Sequence, residues 1–158
     1  LTLLKAAKLI KNKKFLIKIY GDGELKEKLN SFIMLNNLNK HVHIFGHQNK
    51  REIIYKKADL LVHPAIYEGL PNSIVESLNY GVPVIAAKGF GGTSEVLKGG
   101  KFGQLFESKN EIELAKKIDQ FMLDSSKLEN KVKKSKTFIK NFTYKNSCRN
   151  LEKILMTI

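Results

Sequence analysis

Residues His63–Ala86 read HPAIYEGLPNSIVESLNYGVPVIA. They decide the fold because they pass from strand to loop to helix to strand in one short stretch. Just upstream, Ala58–His63 (ADLLVH) is a continuous apolar run, the pattern of a strand buried on both faces. A helix is expected over Asn72–Tyr80. Gly81 follows where a helix end favours positive φ, and Pro83 blocks continuation. Val82–Ala87 (VPVIAA) reads as a second buried strand.

The same alternation runs outward from this unit. Upstream, helix, strand, helix, strand and short helix are expected over Leu1–Lys11, Phe15–Tyr20, Glu24–Asn36, His41–Phe45 and Lys50–Lys57. Downstream, a glycine-rich loop (Gly89–Gly92) leads to a short helix near Thr93–Leu97 and an edge-like strand over Phe102–Phe106. Helices over Asn110–Leu123, Ser126–Asn141 and Tyr144–Ile158 close the chain. Such alternation implies an α/β fold with a Rossmann-like, doubly wound parallel sheet. Ligands then sit at the carboxyl ends of the strands. The chain reads as one unit, 1–158, of which 124–158 form C-terminal helices.

The chemistry falls in the loop and helix of the opening stretch. Glu68 sits in the loop after a strand, and Glu76 sits in the first turns of the next helix. Between them, Gly69 permits close backbone approach to a ligand, and Pro71 stiffens the helix entry without removing a needed donor. A helix N-terminus offers unpaired N–H groups and a positive dipole end. A diphosphate is therefore expected on the amides near Ser73 and Ile74. Glu76 would accept hydrogen bonds from a vicinal diol such as ribose, and Glu68 would face the group beyond the phosphates. Two exposed carboxylates on an ordinary strand-loop-helix unit would give the same letters.

Composition narrows the classes. The chain has 158 residues, 42% of them hydrophobic, and a net charge of +13. That composition excludes disorder, and no apolar run reaches the roughly 18 residues of a membrane-spanning helix. The start, LTLLKAAKLIKNKK, has its charges after its apolar part, the reverse of a signal peptide. Cys148 is the only cysteine, so a reducing, cytoplasmic setting is expected. His41, His43 and His47 are scattered, and no metal site is predicted. Arginine appears only as Arg51 and Arg149. The lysines suit a solvated surface or an anionic membrane face rather than nucleic acid, for which no motif is present.

The segment from His63 to Ala86 strongly resembles the E-x7-E region of the GT4-like glycosyltransferases, glycosyl transferase group 1. The likeness covers the preceding strand, the Glu-Gly-Leu-Pro turn, Glu76 and the Gly-Val-Pro-Val-Ile strand. IYGDGELKEKL (Ile19–Leu29), HVHIFGH (His41–His47) and GFGGTSEVLKGGKFGQLF (Gly89–Phe106) resemble the family's other segments in order and spacing. The resemblance covers residues 1 to 123 well and the last helices loosely.

The resemblance implies the C-terminal half of a two-domain GT-B enzyme that retains anomeric configuration. No metal or other cofactor is implied. The substrate is a nucleotide-diphosphate sugar of UDP or GDP type. Glu76 would bind the ribose hydroxyls. Glu68 would contact the donor sugar and stabilise the transition state. Backbone groups of Gly69, Leu70, Pro71, Asn72, Ser73 and Ile74 would hold sugar and diphosphate, and Gly46, His47 and Gln48 would face the base. Family members carry an Arg and a Lys after a first, central strand. Here that strand, that cationic pair and the acceptor-binding N-terminal domain are expected to be missing, so the piece alone would not transfer sugar. The acceptor implied is lipid-linked or polysaccharide, and the enzyme would work at the inner face of a membrane.

Weaker candidates surround these. His63 either lines the site or serves the structure, and Glu95 either touches the site or only starts a helix. Tyr67 either stacks on a ligand or packs beneath its loop. Gly21 and Gly23 are turn glycines first and ligand neighbours second. Two other functions compete with transfer: a nucleotide-binding module without turnover, and a sugar-nucleotide epimerase of the same architecture.

Overall fold

In the computed structural model, residues 1–142 and 144–156 are described. The elements in order are α1 (Thr2–Leu9), β1 (Ile17–Tyr20), α2 (Lys26–Leu35), β2 (Val42–Phe45), α3 (Arg51–Tyr55) and β3 (Leu61–His63). Then come β4 (Tyr67–Glu68), α4 (Asn72–Asn79), β5 (Val84–Lys88), β6 (Phe90–Gly91) and α5 (Gly92–Val96). β7 (Gln104–Glu107), α6 (Glu111–Leu123), α7 (Ser126–Ile139) and α8 (Tyr144–Leu155) complete the chain. The end of the helix expected over Tyr144–Ile158 lies outside the described residues.

All the strand pairs are parallel. β5 lies between β3 and β7, and β1 pairs with β2 from Ile17↔Val42 to Tyr20↔Phe45. The two-residue period of β5 explains the layering. Val84 and Ala86 point into a cluster with Ile74 and Leu78 of α4, Val96 of α5 and Val132 of α7. Ile85 and Ala87 point the other way, against Ala6 of α1 and Leu114, Ala115 and Ile118 of α6. Helices therefore cover both faces, as a doubly wound sheet requires. β7 pairs with β5 alone and is the edge expected. A third cluster packs Leu4 and Ala7 of α1 with Ile33 of α2 and Val42 of β2.

Two expectations need correction. The strand expected over Ala58–His63 begins only at Leu61, and all its residues are half-buried rather than buried on both faces. The Ala58 N–H bonds back to the Tyr55 carbonyl in a turn that ends α3. β3 pairs with β5 along one edge, while its other edge borders an open cleft of about 1630 Å³ that also touches Ile17 and Ile19 of β1. The β1–β2 pair and the β3–β5–β7 sheet are not hydrogen-bonded to each other. Second, the glycine-rich loop is not free of sheet structure. Its residues Phe90 and Gly91 pair with Tyr67 and Glu68.

Candidate functional site

The loops after β1, β2 and β3 leave the carboxyl ends of parallel strands. Side chains connect them. Tyr55, at the end of α3, is buried, and its hydroxyl lies 3.0 Å from Glu76 Oε2 and 3.2 Å from the Ser73 carbonyl. Arg51, one turn earlier, donates from Nε to Glu76 Oε1. The Ser73 hydroxyl shares a 3.1 Å hydrogen bond with His63 Nδ1. His63 Nε2 is 3.7 Å from Glu68 Oε1. Hydrogen bonds thus run from His63 through Ser73 and Tyr55 to Glu76, and Glu68 lies beside the His63 end without a hydrogen bond to it.

His63 is held by burial. Its side chain is 12% exposed, and Nε2 is buried without a hydrogen-bond partner among the described residues. Desolvation pushes its pKa below the ordinary histidine value, against a smaller opposing pull from Glu68. At neutral pH the ring is therefore uncharged, and its approach to Glu68 is not an ion pair. Ser73, His63 and Glu68 have the composition of a hydrolytic triad. The 3.7 Å His63–Glu68 separation is too long for the hydrogen bond that would orient a general base.

Glu68 is placed by backbone packing. The loop that carries it lies directly against the glycine-rich loop, and Gly92 N–H bonds the Gly69 carbonyl at 3.0 Å. A Cβ on Gly91, whose φ is +102°, would sit 1.9 Å from the Glu68 carbonyl oxygen, and one on Gly92 would sit 2.3 Å from the Gly69 oxygen. These glycines are required by close approach of two backbones. Tyr67 does not pack beneath the loop. It is 77% exposed opposite Phe90, because nothing covers that face of the two-stranded β4–β6 ribbon.

The helix entry is more self-satisfied than its sequence suggests. Asn72 N–H bonds the Leu70 carbonyl, and the N–H groups of Ile74 and Val75 both turn to the Pro71 carbonyl. Pro71 and Ile74 are buried, whereas Leu70 is half-exposed. On the base side, Gly46 accepts from Gly21 N–H, and His47 N–H donates to Asp22 Oδ2 at 2.9 Å. Gln48 accepts from Lys50 N–H through its side chain. Gly23 has open space around it, and Glu95 is exposed.

Sequence reading missed Asp22, Arg51 and Tyr55. Asp22 lay within a turn read for its glycines. Arg51 and Tyr55 stand four apart on one short helix and so share a face. Only the fold shows that this face meets Glu76. No cluster of metal-ligating side chains occurs among the described residues.

Comparison with known proteins now assigns the family. The model of glycosyl transferases group 1 matches residues 1–139. The chain belongs to this family. A glycosyltransferase of Methanocaldococcus jannaschii, itself uncharacterised, is 30% identical over 147 residues, which are 92% of this chain and 41% of that protein. The Campylobacter jejuni α-1,4-N-acetyl-D-galactosaminyltransferase that acts on an undecaprenol-diphosphate-linked saccharide is 31% identical, over 83% of this chain and 35% of its own length. Among solved structures, Anabaena HepE in complex with UDP-glucose superposes with a TM-score of 0.90 at 23% identity, covering 99% of this chain and 44% of that one. Staphylococcus aureus TarM, in a complex that includes UDP, gives 0.87 at 28% identity, over 98% of this chain and 31% of that one. This group 1 chain therefore has the Rossmann-like fold of GT-B glycosyltransferases, and it spans less than half the length of these relatives.

Proposed function

We propose that this group 1 domain binds a nucleotide-diphosphate sugar, of UDP or GDP type, and presents it for retaining transfer to a lipid-linked or polysaccharide acceptor. The observation that carries the proposal is the placing of Glu76, hydrogen-bonded through Tyr55 and Ser73 to His63, and of Glu68, 3.7 Å from His63, at the carboxyl edge of the sheet. In this reading Glu76 accepts the ribose hydroxyls. The start of α4 and the loop from Gly69 to Ser73 face the diphosphate, with the Gly46–Gln48 loop beside the base. Glu68, at the other end, faces the sugar and opposes the positive charge that develops at the anomeric carbon as the diphosphate departs. No metal is invoked. The acceptor wall belongs to the remainder of a longer protein, as the relatives' lengths suggest, because transfer needs both reactants held within reacting distance.

Calorimetric titration with UDP-, GDP- and ADP-sugars tests the binding half of this proposal, and a transfer assay with extracted acceptor tests the chemistry. Saturable binding of one donor class with turnover is expected. Binding without turnover in the full-length protein would favour the plain nucleotide-binding module, and interconversion of donor epimers would favour the epimerase. We also propose that the protein works at an anionic membrane surface. The net charge of +13 supports this, and no described helix is long and apolar enough to cross a membrane. Binding to phosphatidylserine vesicles should weaken between low and high salt, because screening shortens the reach of each lysine. No binding even at low salt would sink the membrane assignment.

A further inference from the structure

A carboxylate that grips a vicinal diol must present a fixed plane. Glu76 has three side-chain torsions and would not hold one unaided. Two side chains from α3 restrict it. The Tyr55 ring is buried and stacked on Tyr80 with centroids 5.3 Å apart. Only its hydroxyl engages the site, and its single proton is shared between Glu76 Oε2 at 3.0 Å and the Ser73 carbonyl at 3.2 Å. Arg51 engages the other oxygen, Oε1. An ionised carboxylate has about four acceptor positions. One on each oxygen is used, leaving one on each for the two hydroxyls of a diol. Burial, and then the neighbouring Glu76 charge, push the Tyr55 pKa well above that of a free phenol, so the hydroxyl keeps its proton.

We infer that Tyr55 and Arg51 are positioning residues. They fix the plane of Glu76 for diol recognition. The inference rests on Glu76 being the diol acceptor. It adds that discrimination for the diol is built by α3, an element outside the glutamate motif.

The test is a ligand cycle in the full-length protein, using calorimetry with UDP and with 2′,3′-dideoxy-UDP, or the guanosine pair if GDP binds more tightly. The ratio of the two affinities reads the diol contact alone. Wild type should prefer the diol by about tenfold or more, since hydrogen bonds to a charged group are strong. Glu76→Ala should bring the ratio close to one. Tyr55→Phe, which keeps the stacked ring, should cut the ratio at least about threefold while leaving dideoxy affinity nearly unchanged, the signature of a misaimed but intact carboxylate. Arg51→Gln should cut it by a smaller factor, because water can replace an exposed partner. If Glu76→Ala leaves the ratio intact, the ribose assignment itself is wrong. If Glu76→Ala abolishes it but Tyr55→Phe does not, only the positioning role falls. Should Tyr55→Phe melt too early to titrate, Arg51→Gln decides, because an exposed substitution preserves the fold: an unchanged ratio there overturns the inference.

Discussion

β5 and β1 are both strands of parallel pairs whose following loops reach the proposed site, yet they are built differently. From Val84 to Ala87 every residue of β5 is fully buried, with helices on both faces. No residue of β1 is fully buried, and the strand borders the open cleft. The loops inherit the contrast. On the β3–β5 side, Glu68 is set by backbone meeting backbone at glycine distances. On the β1–β2 side, the Gly46–Gln48 loop is tied largely by the exposed Asp22 carboxylate. Under the proposed function this divides the labour: the sugar-facing carboxylate rests on close-packed backbone, a rigid support, and the base-facing loop rests on exposed polar ties, an adjustable one. Rigid placement matters most where charge develops in a transition state.

The largest effects should follow from the rigid side. Glu68→Gln removes the charge at the sugar end and should lower kcat by about 100- to 1,000-fold, with nucleotide affinity nearly unchanged. Glu76→Ala should do the reverse, weakening nucleotide binding by about 1.5–3 kcal/mol. Steady-state kinetics and calorimetry on both variants check the split. Equal affinity losses with unchanged turnover would erase the distinction between the two carboxylates. Gly91→Ala should rank next. Its Cβ has no room and its backbone lies at φ +102°, so the Glu68 loop must shift, at a cost of about 1–3 kcal/mol in stability. A displacement near 1 Å is enough to lower turnover by about 100-fold. Gly23→Ala, with nothing within 4 Å, is the matched control on the β1 side. Equal effects at Gly91 and Gly23 would break the contrast.

The same contrast explains what was legible in the sequence. Val82–Ala87 and Asn72–Tyr80 announce themselves, because apolar period and turn residues report local structure and burial, whereas the paired glutamates stand out only through the family resemblance. The expected strand bounds erred most beside the cleft. ADLLVH looks like a central strand, but half-burial of Leu61–His63 depends on what lies along its free edge. Gly89–Gly92 reads only as a glycine-rich loop, whereas its Phe90 and Gly91 pair with Tyr67 and Glu68. Tyr55 carried no signal of its own, since its role depends on Glu76, distant in sequence and brought close only by folding.

A smaller effect should come from His63. Its folded pKa lies below 6.5 because the ring is buried, whereas the unfolded chain titrates at the ordinary value. Above pH 6.5 both states are uncharged and the full stability is present. As pH falls below 6.5 the unfolded chain takes up the proton first, and stability declines until the folded ring also protonates. His63→Gln keeps a partner for Ser73 and removes this titration. The fall in Tm from pH 7.5 to 5.5 should therefore be smaller in His63→Gln than in wild type. Equal falls would mean that His63 Nε2 protonates as readily folded as unfolded, and that Glu68 then gains a charged neighbour in mild acid.

The smallest effect should lie at Asp22. Its carboxylate accepts from Lys26 Nζ and from the His47 N–H, each at 2.9 Å. Both the carboxylate and Lys26 are well exposed, so the ion pair contributes little and is weakened by salt. The bond to the His47 amide is different in kind, because it fixes one loop against another. Lys26, and then that amide, hold the carboxyl below the ordinary 3.8, so the tie is complete at pH 5 and is lost only in stronger acid. Asp22→Ala removes the His47 tie, leaves the Gly21–Gly46 backbone bond, and touches neither glutamate. Nucleotide affinity should fall by only about two- to fivefold, the size of one exposed polar contact, with kcat unchanged. The loss should persist at high salt, since the amide bond rather than the ion pair carries it. A loss as large as that of Glu76→Ala would make the base-side loop a principal anchor. The adjustable surface would then be as demanding as the rigid one, and the division between the two halves would fail at the place where it is easiest to test.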